Sequence, residues 1–235
     1  MKKFIITAGG TSERIDNVRK ITNSSSGKLG CTIANTILEE IDNVKIYYVC
    51  SKNSVKPNSK NIKISEVEGV NDLKNKVEFL LKNDNIDFFI HSMAVSDYTT
   101  DFVTTLDRLK KSFENTGNFN LVEKINGSKI SSNEDNLVIV LKQTPKVISI
   151  IKDVSPSTFL VGFKLLDGVS RNELISVGRK LMDKNSCDMV VANDLSDIRN
   201  GNHIAYLIDK DENVSTANGK DDIAKKLVRR FKYER

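Results

Sequence analysis

This 235-residue chain has no tryptophan and few histidines, cysteines and prolines, with two, three and three respectively. Aromatic residues make up only 6% of it and do not interleave with arginine, so no stacking platform for single-stranded nucleic acid is written into the sequence. Cys31, Cys50 and Cys187 lie far apart, without C-x-x-C spacing or a histidine cluster beside them. That excludes a recognisable zinc motif and a disulfide framework, and the expectation is three reduced, buried thiols. No apolar run approaches the roughly 20 residues of a membrane span. Met1-Lys2-Lys3-Phe4 opens directly into a strand with no apolar leader segment, so a cytoplasmic protein is expected. The charge is nearly balanced, 36 Lys and Arg against 31 Asp and Glu, and the net +5 is spread without a basic block. Small anionic ligands suit such a surface, whereas a nucleic-acid footprint is missing. Two phosphate-binding signatures, G-x-G-x-x-G and G-x-x-x-x-G-K-[ST], are also absent.

With 39% hydrophobic residues, the chain can bury a sizeable core, and residues 1–235 read as a single domain. Apolar runs at Phe4–Thr7, Val44–Val49, Ile86–Ile90, Phe159–Phe163 and Met189–Val191 alternate with helical periodicity. Helices are expected over Lys28–Glu40, Val70–Lys82, Pro145–Lys152, Arg171–Lys184 and Lys220–Phe231. This alternation predicts an α/β protein with a three-layer, Rossmann-like fold and a mainly parallel sheet. The pattern breaks between about residues 98 and 142, where Thr-rich, basic and Asn/Gly/Ser-rich pieces follow one another. A stretch of that length without clear periodicity predicts an arm or lid. Asn200-Gly201-Asn202 and Asn218-Gly219 flank the strand-like Ile204–Ile208, which predicts a short hairpin.

The strongest local feature is a pair of donor-rich loops. The first apolar run leads into Gly9-Gly10-Thr11, and Asn23-Ser24-Ser25-Ser26-Gly27-Lys28 follows shortly after. Leu29, Ile33, Ile37, Leu38 and Ile41 then recur at helical spacing, with Ser26 or Gly27 as the expected N-cap. Backbone N–H groups at a helix amino terminus attract phosphate. In open parallel sheets, ligands bind beyond the carboxyl ends of the strands, which directs attention to His91–Tyr98, Val161–Lys164 and Ala192-Asn193-Asp194. Asp97 sits among small residues where it can accept from a ribose hydroxyl or a base amine, or help hold a cation. His91 reads as a strand-end residue and is left out of the site. Lys180 and Lys184 are four apart on an expected helix and share a face, from which both ammonium groups can reach one polyphosphate.

Several ordered motifs resemble those of the phosphopantothenate-cysteine ligase family. They are Thr7-Ala8-Gly9-Gly10-Thr11, Ile15-Asp16-x-Val18-Arg19-x-Ile21-Thr22-Asn23-x-Ser25-x-Gly27-Lys28, Ala94-Val95-Ser96-Asp97-Tyr98, Lys129-Ile130, Thr144-Pro145-Lys146, Val161-Gly162-Phe163 and Ala192-Asn193-Asp194. The likeness runs over nearly the whole chain. It implies coenzyme A biosynthesis, in which 4'-phosphopantothenate is activated by CTP through an acyl-cytidylate and joined to L-cysteine, releasing pyrophosphate and CMP. The same resemblance implies Mg²⁺ or Mn²⁺ as the cation, with no flavin. It also implies a homodimer paired through an arm, for which residues 98–142 are the candidate, and a standalone form whose decarboxylase is a separate polypeptide.

By position, the resemblance gives Asn23 and Arg19 roles in handling the acyl-cytidylate and in the second half-reaction, with Ala94 beside them on the substrate. It places Gly10, Ser25, Gly27, Asp97, Lys129, Pro145, Phe163, Lys180 and Lys184 around the nucleotide, with Lys129 also counted as catalytic. This chain departs from many relatives at Met93, at Thr99 and at Ser131-Ser132. Two other readings are weighed. A nicotinamide-dependent oxidoreductase lacks its glycine fingerprint here, and the second strand ends in Cys50-Ser51-Lys52 with no acid for a ribose. A nonenzymatic nucleotide-binding module lacks the aromatic surface it would use.

Overall fold

The computed structural model describes residues 1–118, 122–125, 129–211 and 213–234. Gly127 and Ser128, which precede Lys129 in the irregular stretch, lie outside the described residues. An eight-stranded sheet forms the centre, in the order β12-β11-β10-β9-β6-β1-β4-β5. The parallel strands are β1 (Lys2–Ala8), β4 (Val44–Ser51), β5 (Ile62–Val67), β6 (Phe88–His91), β9 (Phe159–Leu166) and β10 (Met189–Asp194). On the β10 edge, β11 (Ile204–Asp209) and β12 (Val214–Asn218) add antiparallel neighbours.

Alternate residues of the strands feed two cores. Phe4, Ile6 and Ala8 of β1 face α1 (Lys28–Glu40) and α7 (Gly219–Tyr233), whose Ile33, Ile37, Leu227 and Phe231 are fully buried. Ile5 faces the opposite layer, built by α2 (Val70–Asn83), α4 (Val147–Val154) and α5 (Arg171–Asn185). Helices therefore cover both sheet faces, as the alternation of apolar runs predicts. An aromatic cluster locks the first core: Phe4 stacks on Phe88 at 4.8 Å between centroids, and Phe231 tilts onto both. The three cysteines are buried and free.

The short hairpin expected around Ile204–Ile208 is formed by β11 and β12, with its turn between them, while Gly219, at φ +84°, opens α7. Some elements differ from the sequence expectation. The helix expected from Pro145 begins at Val147. Within residues 98–142, β7 (Tyr98–Thr105) pairs antiparallel with β8 (Leu137–Gln143), and α3 (Leu106–Thr116) follows β7. A hairpin of β2 (Ser12–Arg14) and β3 (Lys20–Thr22) fills the space between the two donor-rich loops.

Two features place the site. After β1 the chain builds one side of the sheet through β4 and β5, then crosses to the other through β6, so the order reverses between β1 and β6. Moreover, β6 is only four residues long, which leaves a crevice beyond His91 between the longer β1 and β9. A reversal point at the carboxyl edge is where ligands enter this class of sheet.

Candidate functional site

Thr11 ties the crevice walls together from the inside. Its N–H donates to the Ala94 carbonyl at 3.0 Å, its carbonyl accepts from the Asn23 N–H at 3.0 Å, and its Oγ1 accepts from the Ser96 N–H at 2.9 Å. One fully buried residue, through its backbone and its hydroxyl, thus fixes three loops relative to one another. Gly27 takes φ +72° at the N-cap of α1, a left-handed conformation that favours glycine, and it offers no side-chain cap. The amino termini of α4 and α7 also lack a side-chain cap, whereas Thr105, Ser170 and Asp194 cap α3, α5 and α6 (Leu195–Arg199). Of the four described helix amino termini without a side-chain cap, those of α1, α4 and α7 line one cleft of about 780 Å³ through Gly27, Val147 and Lys220, whereas that of α2 lies apart, with its Val70 N–H donating to Glu13 Oε1 at 2.8 Å.

That cleft gathers Asn23, Ser25, Gly27, Ala94, Asp97, Pro145, Phe163 and Lys184 of the residues singled out from sequence. It also holds Lys28, Lys146, Lys164, Asn193, His203 and Lys220. Lys146 pairs with Asp97, the acidic side chain on its wall. His91 lies at the base, where its Nδ1 shares a 2.9 Å hydrogen bond with Thr7 Oγ1 and burial pushes its pKa down to about 4. The ring is neutral near pH 7 and serves as a packed floor. Asn193 is 8% exposed, and its side chain makes no hydrogen bond among the described residues. Its neighbour Asp194 turns away to accept from Gly168 N, Val169 N and Ser196 N, and these bonds with the Ser196 hydroxyl hold its carboxyl well below the usual range.

Other expected residues are placed elsewhere. Gly10 lines a second hollow of about 500 Å³, together with Lys20, Ser51, Lys52 and Glu68, and its N–H donates to Ser51 Oγ at 3.4 Å. This hollow and the cleft share Asn23, Ser24 and Ser25 as a wall. Lys180 lines a separate groove with Arg171, Arg179 and Asp183, whereas Lys184 lines the cleft. Arg19 and Lys129 stand outside the cleft but close to each other. Asp16, within the β2–β3 turn, receives Arg19 Nη2 at 2.7 Å and Ile130 N at 3.1 Å, and Ile130 O accepts from Arg19 Nη2 at 2.8 Å. The Ile130 amide and the Arg19 guanidinium hold the Asp16 carboxyl well below its ordinary pKa. Lys129, the residue before Ile130, is exposed.

Lys146 and Lys164 stand in segments singled out from sequence but are not among the chosen site residues, and His203 and Lys220 are not singled out for the site at all. The first two directly follow motif residues already weighed, Pro145 and Phe163, and that adjacency was the available signal.

The model of the DNA/pantothenate metabolism flavoprotein C-terminal domain family matches residues 1–126 and 118–233, which together cover nearly the full chain. The chain belongs to this family. It is 35% identical over 233 residues to the coenzyme A biosynthesis bifunctional protein CoaBC of Thermococcus kodakarensis, covering 99% of this chain and 48% of that protein. It therefore spans about half the length of the curated relatives it matches first. Among solved structures, the DNA/pantothenate metabolism flavoprotein from Streptococcus pneumoniae superposes with a TM-score of 0.84 at 36% identity, covering 99% of this chain and 98% of that one. A Cab2 variant in complex with phosphopantothenate-cysteine shares the fold, with a TM-score of 0.73 at 16% identity, over 98% of this chain and 86% of that one. The family assignment agrees with the motif resemblance to phosphopantothenate-cysteine ligases.

Proposed function

We propose that this chain joins 4'-phosphopantothenate to L-cysteine after activating the acid with CTP. The observation that carries the reading is the convergence of three uncapped helix amino termini on one cleft that also holds Asn23 and five lysines. Such a donor array suits a triphosphate. Phosphopantothenate-cysteine bound to a protein of the same fold and the coenzyme A role named for the Thermococcus relative support the choice of substrates.

The chemistry follows from the leaving groups. A free carboxylate resists an amine because an oxide would have to depart. Attack of the carboxylate oxygen on the α-phosphorus forms an acyl-cytidylate and expels pyrophosphate. The cysteine amine then adds to the acyl carbon, and CMP leaves with the carbonyl restored. Cleft lysines and helix N–H groups stabilise the charge gathering on the departing phosphates. Asp97, the carboxylate on the cleft wall, which pairs with Lys146, is the group that would contribute to holding Mg²⁺ or Mn²⁺ shared with the nucleotide. Among the described residues, no group of three or more His, Cys, Asp or Glu forms a protein-built cage, so the cation would depend on the nucleotide for its remaining ligands.

A homodimer paired through residues 98–142 and a cytoplasmic location belong to the same proposal, as does a separate decarboxylase acting on the product. Support for the arm comes from α3, which buries none of its residues, and from Tyr98, Phe113 and Leu141, each 42% exposed or more.

The test supplies the acid and cysteine together and measures pyrophosphate with CTP, ATP or UTP in competition. CTP is expected to win, and absence of pyrophosphate with any of the three overturns the reading. Separating the two helix lysines gives a further check. Lys184→Ala is expected to raise the CTP requirement roughly tenfold, the scale of a lost charge-assisted contact. Lys180→Ala, in its separate groove, is expected to leave it within about twofold, as most surface substitutions do. Equal effects of the two in initial-rate kinetics contradict the division into two cavities.

A further inference from the structure

The far end of the cleft is built from the last strands of the sheet. Because β11 runs antiparallel to β10, the residue before it, His203, comes to the same edge as the carboxyl ends of the parallel strands. β12 then returns, and α7 starts at that edge with Lys220 in its first turn. Both His203 and Lys220 line the cleft. Lys220 Nζ is 3.4 Å from His203 Nδ1. An ammonium has only protons to offer, so Nδ1 accepts and the ring carries its proton on Nε2. That Nε2 is buried and has no hydrogen-bond partner among the described residues.

The ionisation of the pair is consistent with this arrangement. Burial and the Lys220 charge both push the His203 pKa below its ordinary value, which keeps the ring neutral and Nδ1 free to accept. Lys220 forms no ion pair among the described residues, unlike Lys146, which is neutralised by Asp97. The nearby Asp222 is engaged with the Asn218 N–H at 2.9 Å. A few residues away, Asn193 presents its nine-tenths-buried amide without a partner. Beside α7 packs α1, whose amino terminus, also without a side-chain cap, and Lys28 line the same cleft. This end therefore offers the Lys220 ammonium, an imidazole N–H, an amide and two helix termini, with no free carboxylate on the cleft wall opposite them. Such a surface matches a polyanion.

We propose that Lys220, steadied by His203, binds the pyrophosphate portion of the nucleotide and releases it as the leaving group. The assignment rests on the ligase reading above and adds two residues from the C-terminal quarter of the chain to its phosphate site.

Pyrophosphate and CMP, titrated separately into the full-length protein and used as product inhibitors, test it. Lys220→Met is expected to weaken pyrophosphate binding and raise the CTP KM by about tenfold or more, with Lys220→Arg recovering most of the loss. CMP binding is expected to stay within about twofold, because CMP lacks the phosphates in question. His203→Phe, which removes the acceptor of the Lys220 proton, is expected to produce a smaller loss of the same kind. Unchanged pyrophosphate binding in Lys220→Met overturns the proposal, and so does an equal weakening of CMP. The two readings can also fail separately: wild-type protein that binds pyrophosphate but makes none from CTP retains the site and loses the ligase, whereas turnover with Lys220→Met at wild-type constants does the reverse.

Discussion

Gly10→Ala is expected to lower both stability and nucleotide affinity, although Gly10 itself faces the hollow beside the cleft. A Cβ at this position would lie 1.8 Å from the Asn23 carbonyl oxygen and 2.9 Å from its carbon. Both are backbone atoms, and the Asn23 N–H is already fixed to Thr11 O, so the obstruction cannot rotate away. The loop that carries Asn23, Ser25 and Gly27 must shift as a unit. Overpacking of this kind costs about 1 to 3 kcal/mol and occasionally more. The displaced loop includes the N-cap of α1, so CTP affinity is expected to fall by about tenfold or more, the range for losing a contact to a charged group.

Gly168→Ala supplies the control, because a Cβ there meets nothing within 4 Å, and only the φ of +69° is strained. It is expected to cost roughly 1 kcal/mol and leave binding alone. Thermal unfolding and calorimetric titration of both variants separate the effects. If Gly10→Ala binds CTP as the parent does, the loop is not part of the nucleotide site.

Packing at the sheet centre was the most legible part of the fold. The helix over Lys28–Glu40 has the bounds its periodicity predicts, because Ile33 and Ile37 are driven to a single buried face. Where burial is weak, the signal fades with it. β5 alternates Ile62 and Ile64 with Lys63 and Ser65 on a sheet edge and buries only Val67, so it carries no apolar run. α3 buries nothing, and its pattern has no core to report.

The site was legible where a parallel strand ends, and less so elsewhere. Ala94 and Asp97 follow the end of β6, Phe163 lies in the carboxyl half of β9, and Gly27 caps α1 beside the loop that leaves β1; all four line the cleft. His203 arrives by way of an antiparallel return, which brings the beginning of a strand to the edge, and a rule that inspects strand ends passes over it; Lys220 follows the end of β12, a strand that buries only Ala217 and shows no apolar run. Lys180 and Lys184 show what helical spacing leaves open. Helical spacing states which side of α5 a lysine occupies but not how far along the axis the cavity extends, and Lys184 reaches it from the last turn while Lys180 does not.

Asn23→Ala is expected to have the largest effect on product formation with the least effect on the fold. The backbone of Asn23 is held by Thr11, while its half-buried side chain makes no hydrogen bond among the described residues. Truncation therefore breaks no intramolecular side-chain bond. Asn23 also stands in the wall common to the cleft and the adjoining hollow, so its amide can meet a group held in either. An acyl carbonyl at that boundary develops negative charge on oxygen as the cysteine amine adds, and an amide N–H is a suitable donor to it. Loss of one such donor reduces the rate by roughly 10²- to 10³-fold. Activation develops its charge on phosphate oxygens instead, where the lysines and helix termini remain in place. The variant is accordingly expected to release pyrophosphate in the presence of acid and CTP while amide product falls by about two orders of magnitude, a mismatch that quenched single-turnover assays resolve by following both products. Parallel loss of pyrophosphate and amide would place Asn23 in activation rather than in the transfer to cysteine.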